Sequence, residues 1–116
     1  MKNSFRDDNI DIDNEKYKLR VYIEEQRIVF DLEFIPISKK LIRKKYIEKF
    51  NKSNLETFDV TFKLIKLGEI FDEIYEKLEG KKYTINRKEN LVEFIIKKNR
   101  NKSITLHLNE KKMKLT

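Results

Sequence analysis

His107 is the only imidazole in the chain, flanked at two-residue spacing by Thr105 and Asn109 on the polar side of an alternating stretch. A histidine base needs a positioned nucleophile and an orienting acid, and a zinc site needs several nitrogen or sulfur ligands. One histidine and no cysteine assemble neither in the ordinary way, and thiol chemistry and disulfides are excluded. The two glycines, Gly68 and Gly80, bracket a single stretch and leave no glycine-rich phosphate cradle or dinucleotide fingerprint. Asp7, Asn9 and Asp11 have the spacing of the first ligands of a calcium loop, but Ile12 and Lys18 stand where that loop needs Gly and Glu. Asp72, Glu73, Glu76 and Glu79 share one side of a helical pattern, where a solvated face is expected. A catalytic pair needs burial to part its two pKa values. The expectation is a protein that is not an enzyme, with no cofactor, no metal and no small-molecule substrate.

Charge is the other chemistry on offer. The chain carries 27 Lys and Arg against 20 Asp and Glu, a net charge of +7. Only 6 of the 27 are Arg, the better fork for phosphate and bases, and Lys, Asn and Ile are abundant while Ala is missing. That skew matches the codon pressure of an AT-rich genome, so the excess charge alone is weak evidence for a polyanionic partner. Its distribution says more. Residues 81–116 hold eleven bases and three acids, whereas residues 51–80 hold four bases and seven acids. The candidate polyanion contacts are Lys39, Lys40, Arg43, Lys44 and Lys45 in one run, with Arg87, Lys88, Lys97, Lys98, Arg100 and Lys102 in two later turns. Brought together, they would form a ridge able to track phosphates.

The elements that must position these groups can be read from hydrophobic period. The strongest lies at 67–80, where Ile70, Phe71, Ile74, Tyr75 and Leu78 recur at helical spacing opposite the four carboxylates. Gly68 is expected to open this helix and Gly80 to supply its left-handed end. Before it, Ser53-Asn54-Leu55-Glu56 has the capping-box pattern. The helix so opened puts Leu55, Phe58, Phe62 and Ile65 on one side and Val60, Leu64 and Leu67 nearly opposite, giving a helical hairpin joined at Gly68. Tyr17, Leu19, Val21 and Ile23 alternate with polar residues, as do Ile28, Phe30, Leu32 and Phe34, across a turn at Glu25 and Gln26. Pro36 closes that hairpin, and a loop leads to a third strand ending near Phe50. After Gly80 come strands about Tyr83 and Ile85, about Val92, Phe94 and Ile96, and about Ile104, Leu106 and Leu108.

The predicted fold is α+β: an antiparallel sheet, curled towards a barrel, in the order β-β-(β)-α-α-β-β-β with an inserted helical hairpin. Residues 1–15, with five acids, are expected to be a disordered arm, residues 16–109 a single domain, and 110–116 a flexible basic tail. No run is long and apolar enough for a membrane span and 1–8 lack a signal-peptide core, which points to an intracellular, cytoplasmic protein without a membrane partner.

This order resembles the β-barrel head domains of the centriolar cartwheel and DNA end-joining scaffold families. The stretch Tyr46-x3-Phe50-Asn-Lys-Ser53-x-Leu55-x2-Phe58 through Leu67-Gly-Glu-Ile-Phe-Asp-Glu-Ile-Tyr75 is also similar to modules in scaffold-like proteins of AT-rich single-celled eukaryotes. The resemblance implies a protein-interaction or scaffold domain that pairs with other proteins or with itself as a homodimer. The residues expected to serve such an interface are the outward Tyr22 and Val29, the second helix stripe of Val60 and Leu64, and the acidic Glu73 and Glu76. The alternative reading is a nonspecific nucleic-acid-binding domain that uses the basic surface.

Overall fold

The computed structural model describes residues 4–36 and 44–112. The period-two stretches form β1 (Ser4–Ile12), β2 (Glu15–Glu24), β3 (Arg27–Ile35), β4 (Lys44–Asn51), β5 (Tyr83–Arg87), β6 (Leu91–Asn99) and β7 (Lys102–Lys112). They make one antiparallel sheet in the order β1-β2-β3-β4-β7-β6-β5. Alternation turns one side of each strand to a common core: Tyr17, Leu19 and Val21 from β2; Ile28, Phe30 and Leu32 from β3; Val92, Phe94 and Ile96 from β6; Ile104, Leu106 and Leu108 from β7. Phe30 sits at the centre, edge-on to Phe94 (centroids 5.2 Å apart) and to Phe50 (5.8 Å).

Residues 4–15 of the expected arm are not loose. Ser4–Ile12 is an edge strand whose Phe5, Ile10 and Ile12 are buried in the core while Asp8 and Asp11 face out. Asp13 and Asn14 make the turn into β2 with φ of 50° and 67°, the left-handed pair of a tight hairpin, which Asp and Asn adopt at least cost. A bulge between Asp7 and Ile10 shifts the register, and the Asn9 N–H donates to Asp7 Oδ1 there (2.9 Å). The far end differs in the same sense. Glu110 to Lys112 continue β7, paired with Tyr46 to Lys44, and only 113–116 of the expected tail lie outside the described residues. Four strands, not three, thus precede the helices.

The helical segment also departs from the expected hairpin. α1 (Lys52–Phe58) is capped by Asn51 in place of Ser53: the Asn54 N–H donates to Asn51 Oδ1 (2.8 Å) and the Asn51 N–H to Asn54 Oδ1 (3.0 Å). Asp59 stops it in extended backbone and restarts the chain as a 3-10 turn (Val60–Leu64), its Oδ1 accepting from the Thr61 N–H (3.0 Å) and hydroxyl (2.7 Å). α2 (Leu67–Glu79) follows and buries Ile70, Phe71, Ile74 and Leu78 against the concave side of the sheet, touching β1, β3 and β6. Its end is a Schellman motif, with the Lys82 N–H on the Lys77 carbonyl (2.8 Å) and the Lys81 N–H on that of Leu78 (3.1 Å). Gly80, at φ −79°, is not the left-handed residue; Lys81, at φ 54°, is.

The β2–β3 turn places Glu25 and Gln26 at φ of 49° and 60°, a conformation that suits Asn-Gly far better. The double substitution E25N/Q26G is expected to stabilise the fold by about 1 kcal/mol, raising Tm by roughly 3–6 °C. Thermal unfolding followed by circular dichroism checks this, and an unchanged or lower Tm would contradict the turn geometry.

Candidate functional site

The break at Asp59 decides where the apolar surface lies. The 3-10 turn sends Phe62 into the core and leaves Val60 and Leu64 on the outside, 62% and 85% exposed. The turn is held rigidly. Asp59, itself buried, receives the Lys98 ammonium of β6, which also donates to the Thr61 hydroxyl (2.8 Å) and lies 5.3 Å from the centre of the Phe62 ring. Behind it the Lys77 ammonium of α2 donates to the Lys98 carbonyl (3.1 Å). Leu64, Ile65 and Leu67, with Gln26, Lys52, Lys63 and Lys66, line a shallow groove of about 510 Å³. Lys63 and Lys66 make no ion pair among the described residues, whereas Lys52 is paired with Glu56 (2.8 Å). The patch is therefore apolar at its centre and basic at its rim.

Glu73 and Glu76 stand on the outer face of α2 with Asp72 and Glu79, exposed, around the half-buried ring of Tyr75. Tyr75 is fixed edge-on against Phe5 of β1 (5.7 Å). None of these four carboxylates is in an ion pair with a described residue. The structure brings Val60 and Leu64 together, and Glu73 and Glu76 together, but places the pairs at different stations along the helical segment.

Of the other two expected interface residues, Val29 has no exposed surface and Tyr22 keeps part of its ring exposed. Val29 is fully buried, because the outer face of β3 is covered by neighbouring side chains: Tyr22 and Lys49 stand opposite it in register. Tyr22 is half-buried, with the Arg20 guanidinium 5.8 Å from its ring centre. On the same face Asp31, 1% exposed, receives Arg20 (2.8 Å) and Lys45 (3.0 Å) on one oxygen, while its other oxygen has no hydrogen-bond partner. Burial here comes from long side chains folded over the sheet.

The basic candidates are dispersed. Lys39, Lys40 and Arg43 lie outside the described residues. Lys44 is exposed at the start of β4, and Lys45 is engaged by Asp31. Arg87 bridges Asp13 (3.5 Å) and Glu15, and also reaches the Tyr17 hydroxyl (3.5 Å), which raises the Arg87 pKa further. Lys88 pairs with Glu93 (3.2 Å) and Lys98 with Asp59. Among the described candidates, Lys44 at the start of β4 and Lys97, Arg100 and Lys102 at the tip of the β6–β7 hairpin are exposed without an ion pair. β6 has nine residues and spans about 30 Å, so this tip and the Arg87–Lys88 turn lie at opposite ends of the sheet. They do not form one ridge.

His107 is exposed on β7, opposite Glu93, and borders a shallow hollow with Glu48, Lys49, Phe50, Asn54, Thr57 and Phe58. Among the described residues there is no group of three or more His, Asp or Glu placed to hold a metal, and no helix long and apolar enough to cross a membrane. A groove absent from the sequence expectations lies between the edge strands, lined by Asp7, Ile10, Ile12, Tyr83 and Ile85. Burial, and after it the Asp7 carboxylate across the groove, raise the Tyr83 hydroxyl pKa above its ordinary value. The signal for it was the Asp13-Asn14 dipeptide following apolar Phe5, Ile10 and Ile12. Comparison with known proteins finds no matching family model, no matching curated protein and no matching solved structure.

The Lys98→Ala protein leaves the Asp59 carboxylate, 4% exposed, with Thr61 alone. A loss of about 2 kcal/mol is expected, measured as a lowered urea midpoint. Lys97→Ala, exposed one residue away, is expected to change stability by less than about 0.5 kcal/mol. Equal effects would mean that the Asp59 contact does not anchor the 3-10 turn.

Proposed function

We propose that this chain is a non-enzymatic interaction domain that self-associates head to tail. In this reading the Val60–Leu64 patch of one copy, with Lys63 and Lys66 at its rim, meets the acidic face of α2 about Tyr75, Glu73 and Glu76 on the next. The observation that carries it is the exposure of Val60 and Leu64 on a turn otherwise pinned to the core. A mobile loop can expose apolar groups at little cost, but a rigid turn that holds them out offers a preformed contact. The charges of the two surfaces are opposite and largely uncompensated within the molecule, which sets orientation and encounter rate.

Magnitudes place the contact in the weak class. Burying Val60 and Leu64 gains at most about 4 kcal/mol, and rim ion pairs add roughly 0.2–1 kcal/mol each. Set against an entropy of association of about 4 kcal/mol or more, these two side chains do not suffice alone, and an upper-micromolar contact requires further burial from the Tyr75 ring and its neighbours. Such a contact acts through repetition, because two different surfaces generate rings or open chains. Binding to nucleic acid through Lys97, Arg100 and Lys102 is the second reading, supported by their exposure without ion pairs.

Light scattering over a concentration series separates the readings. The average mass is expected to rise at high micromolar concentration, to return to one chain in Leu64→Asp, and to do so again in E73K/E76K. Adding K63E/K66E to the second variant is expected to restore association. A single-chain mass up to millimolar concentration would overturn self-association, and a steep loss of DNA binding with salt would then favour the second reading.

A further inference from the structure

In hydrogen-bonded order the sheet has two halves, β1–β4 from the chain before the helices and β5–β7 from the chain after them, and the ladder between β4 and β7 joins them. Among the described residues that ladder holds four pairs, fewer than any other in the sheet. Two of the four set lysine opposite lysine: Lys44 faces Lys112, and Lys45 faces Lys111. Like charges directly opposite one another across two strands repel at close range and weaken the pairing. Beyond Ile47 and Asn109 the pairing stops, where the hollow beside His107 opens. The joint between the halves is therefore both short and self-repelling.

The outer face around this joint carries more cations than its acids neutralise. Asp31 holds Arg20 (2.8 Å) and Lys45 (3.0 Å) on the same oxygen, which fixes the two cations side by side. Glu33, opposite Lys45 in register, is engaged by Lys18 instead (3.3 Å). Lys111 is exposed and has no ion pair among the described residues. Arg20, Lys18, Lys45 and Lys111 thus share the carboxylates of Asp31 and Glu33, an excess of two positive charges. The excess is confined. Around it Arg6 is paired with Asp8 (2.8 Å), Lys16 with Asp11 (2.8 Å) and Lys49 with Glu24 (3.8 Å). A compact multivalent anion fits that pattern, whereas a long polyanion would run against the flanking carboxylates. β7 has eleven residues and spans about 35 Å, so Lys111 and the basic tip of the β6–β7 hairpin lie at opposite ends of the strand.

We propose that the outer face of the β4–β7 joint binds a small multivalent phosphate anion between Lys45 and Lys111, with Arg20 beside them, and that the bound anion tightens the joint between the two halves of the sheet. Arg20 and Lys45 keep N–H donors beyond those spent on Asp31, and all the donors of Lys111 are available. Asp31, 1% exposed, is a positioning residue: it fixes two of the three cations before the anion arrives. An anion between the opposed lysines removes the repulsion that the ladder otherwise carries, so occupancy and the stability of the ladder are linked. This inference is independent of the self-association through Val60 and Leu64.

The test uses the full chain with pyrophosphate as the probe, at about physiological salt and without divalent metal ions. Calorimetry measures affinity, and hydrogen exchange reports on the amides of the β4–β7 ladder. Pyrophosphate at about 1 mM is expected to slow that exchange about five-fold or more, and sodium chloride of matched ionic strength less than about two-fold. Lys111→Gln is expected to weaken pyrophosphate about ten-fold, whereas Lys97→Gln, exposed at the other end of the sheet, leaves it unchanged. Lys111→Glu sets an acid opposite Lys45 and is expected to slow exchange with no anion present and to abolish the response to pyrophosphate. Lys45 stays in place in every variant, because its removal would leave the buried Asp31 with Arg20 alone. Equal protection by chloride would reduce the effect to screening and overturn the proposal, as would unchanged affinity in Lys111→Gln or absence of binding at about 10 mM pyrophosphate. Single-stranded DNA that binds more tightly than pyrophosphate, and loses affinity in Lys97→Gln but not in Lys111→Gln, would place the anion contact at the hairpin tip and overturn it as well.

Discussion

Ile70, Phe71, Ile74 and Leu78 are the side chains around which the sheet curls. Each is buried almost completely, and at about 1.5–3 kcal/mol apiece their transfer from water is of the same order as the whole net stability of a small domain. A flat seven-stranded sheet could not cover one helix on both flanks. Twist lets β1, β3 and β6 all reach α2, and the outer strands must then bend towards one another. The concave core, the approach of the two edges and the groove between them follow from this one packing requirement. Parity does the rest, since seven antiparallel strands bring together two edges that run in the same direction.

Two long-range ionic contacts lock what hydrophobic packing leaves loose. Lys98 to Asp59 ties the 3-10 turn to β6 across a separation of 39 residues, and Arg87 to Glu15 ties β5 to the β1–β2 hairpin across 72. Asp59 is withdrawn from water, so removing Lys98 leaves it poorly solvated, whereas Arg87 and Glu15 both stay partly in water and their pair contributes little energy. Their value lies in position more than in energy. The first holds Val60 and Leu64 outwards, and the second closes one end of the groove between β1 and β5.

The charge pattern separates into engaged and unengaged groups. Lys45, Arg87, Lys88 and Lys98 are occupied by carboxylates of the sheet and the helical segment. Among the described residues, uncompensated charge gathers in several places, including lysines beside Leu64, carboxylates beside Tyr75, and a basic hairpin tip at the far end of β6. A single net charge conceals that arrangement. Small charged regions beside apolar groups are better suited to orienting a protein contact than to following a phosphate backbone.

The amphipathic face of α2, the Glu25-Gln26 hairpin and the last three strands were legible in the sequence, because each is a local periodicity set by which residues avoid water. Glu73 and Glu76 were legible as surface for the same reason, whereas Val60 and Leu64 read as the stripe of a helical hairpin and are exposed by the 3-10 turn that replaces it. The strand at Ser4–Ile12 was obscured because the five acids of residues 1–15 outweigh Phe5, Ile10 and Ile12 in any local reading. Its burial is earned only beside β2 and α2. The stop at Asp59 depends on Lys98, distant in sequence, and the burial of Val29 and Asp31 depends on side chains from two adjacent strands. Which bases are engaged, and that β1 and β5 face each other, are consequences of strand order and curvature. Residue types determined the elements and their wet and dry faces. Only the tertiary structure decided which surfaces remain unpartnered, because that is set by contacts between residues far apart along the chain.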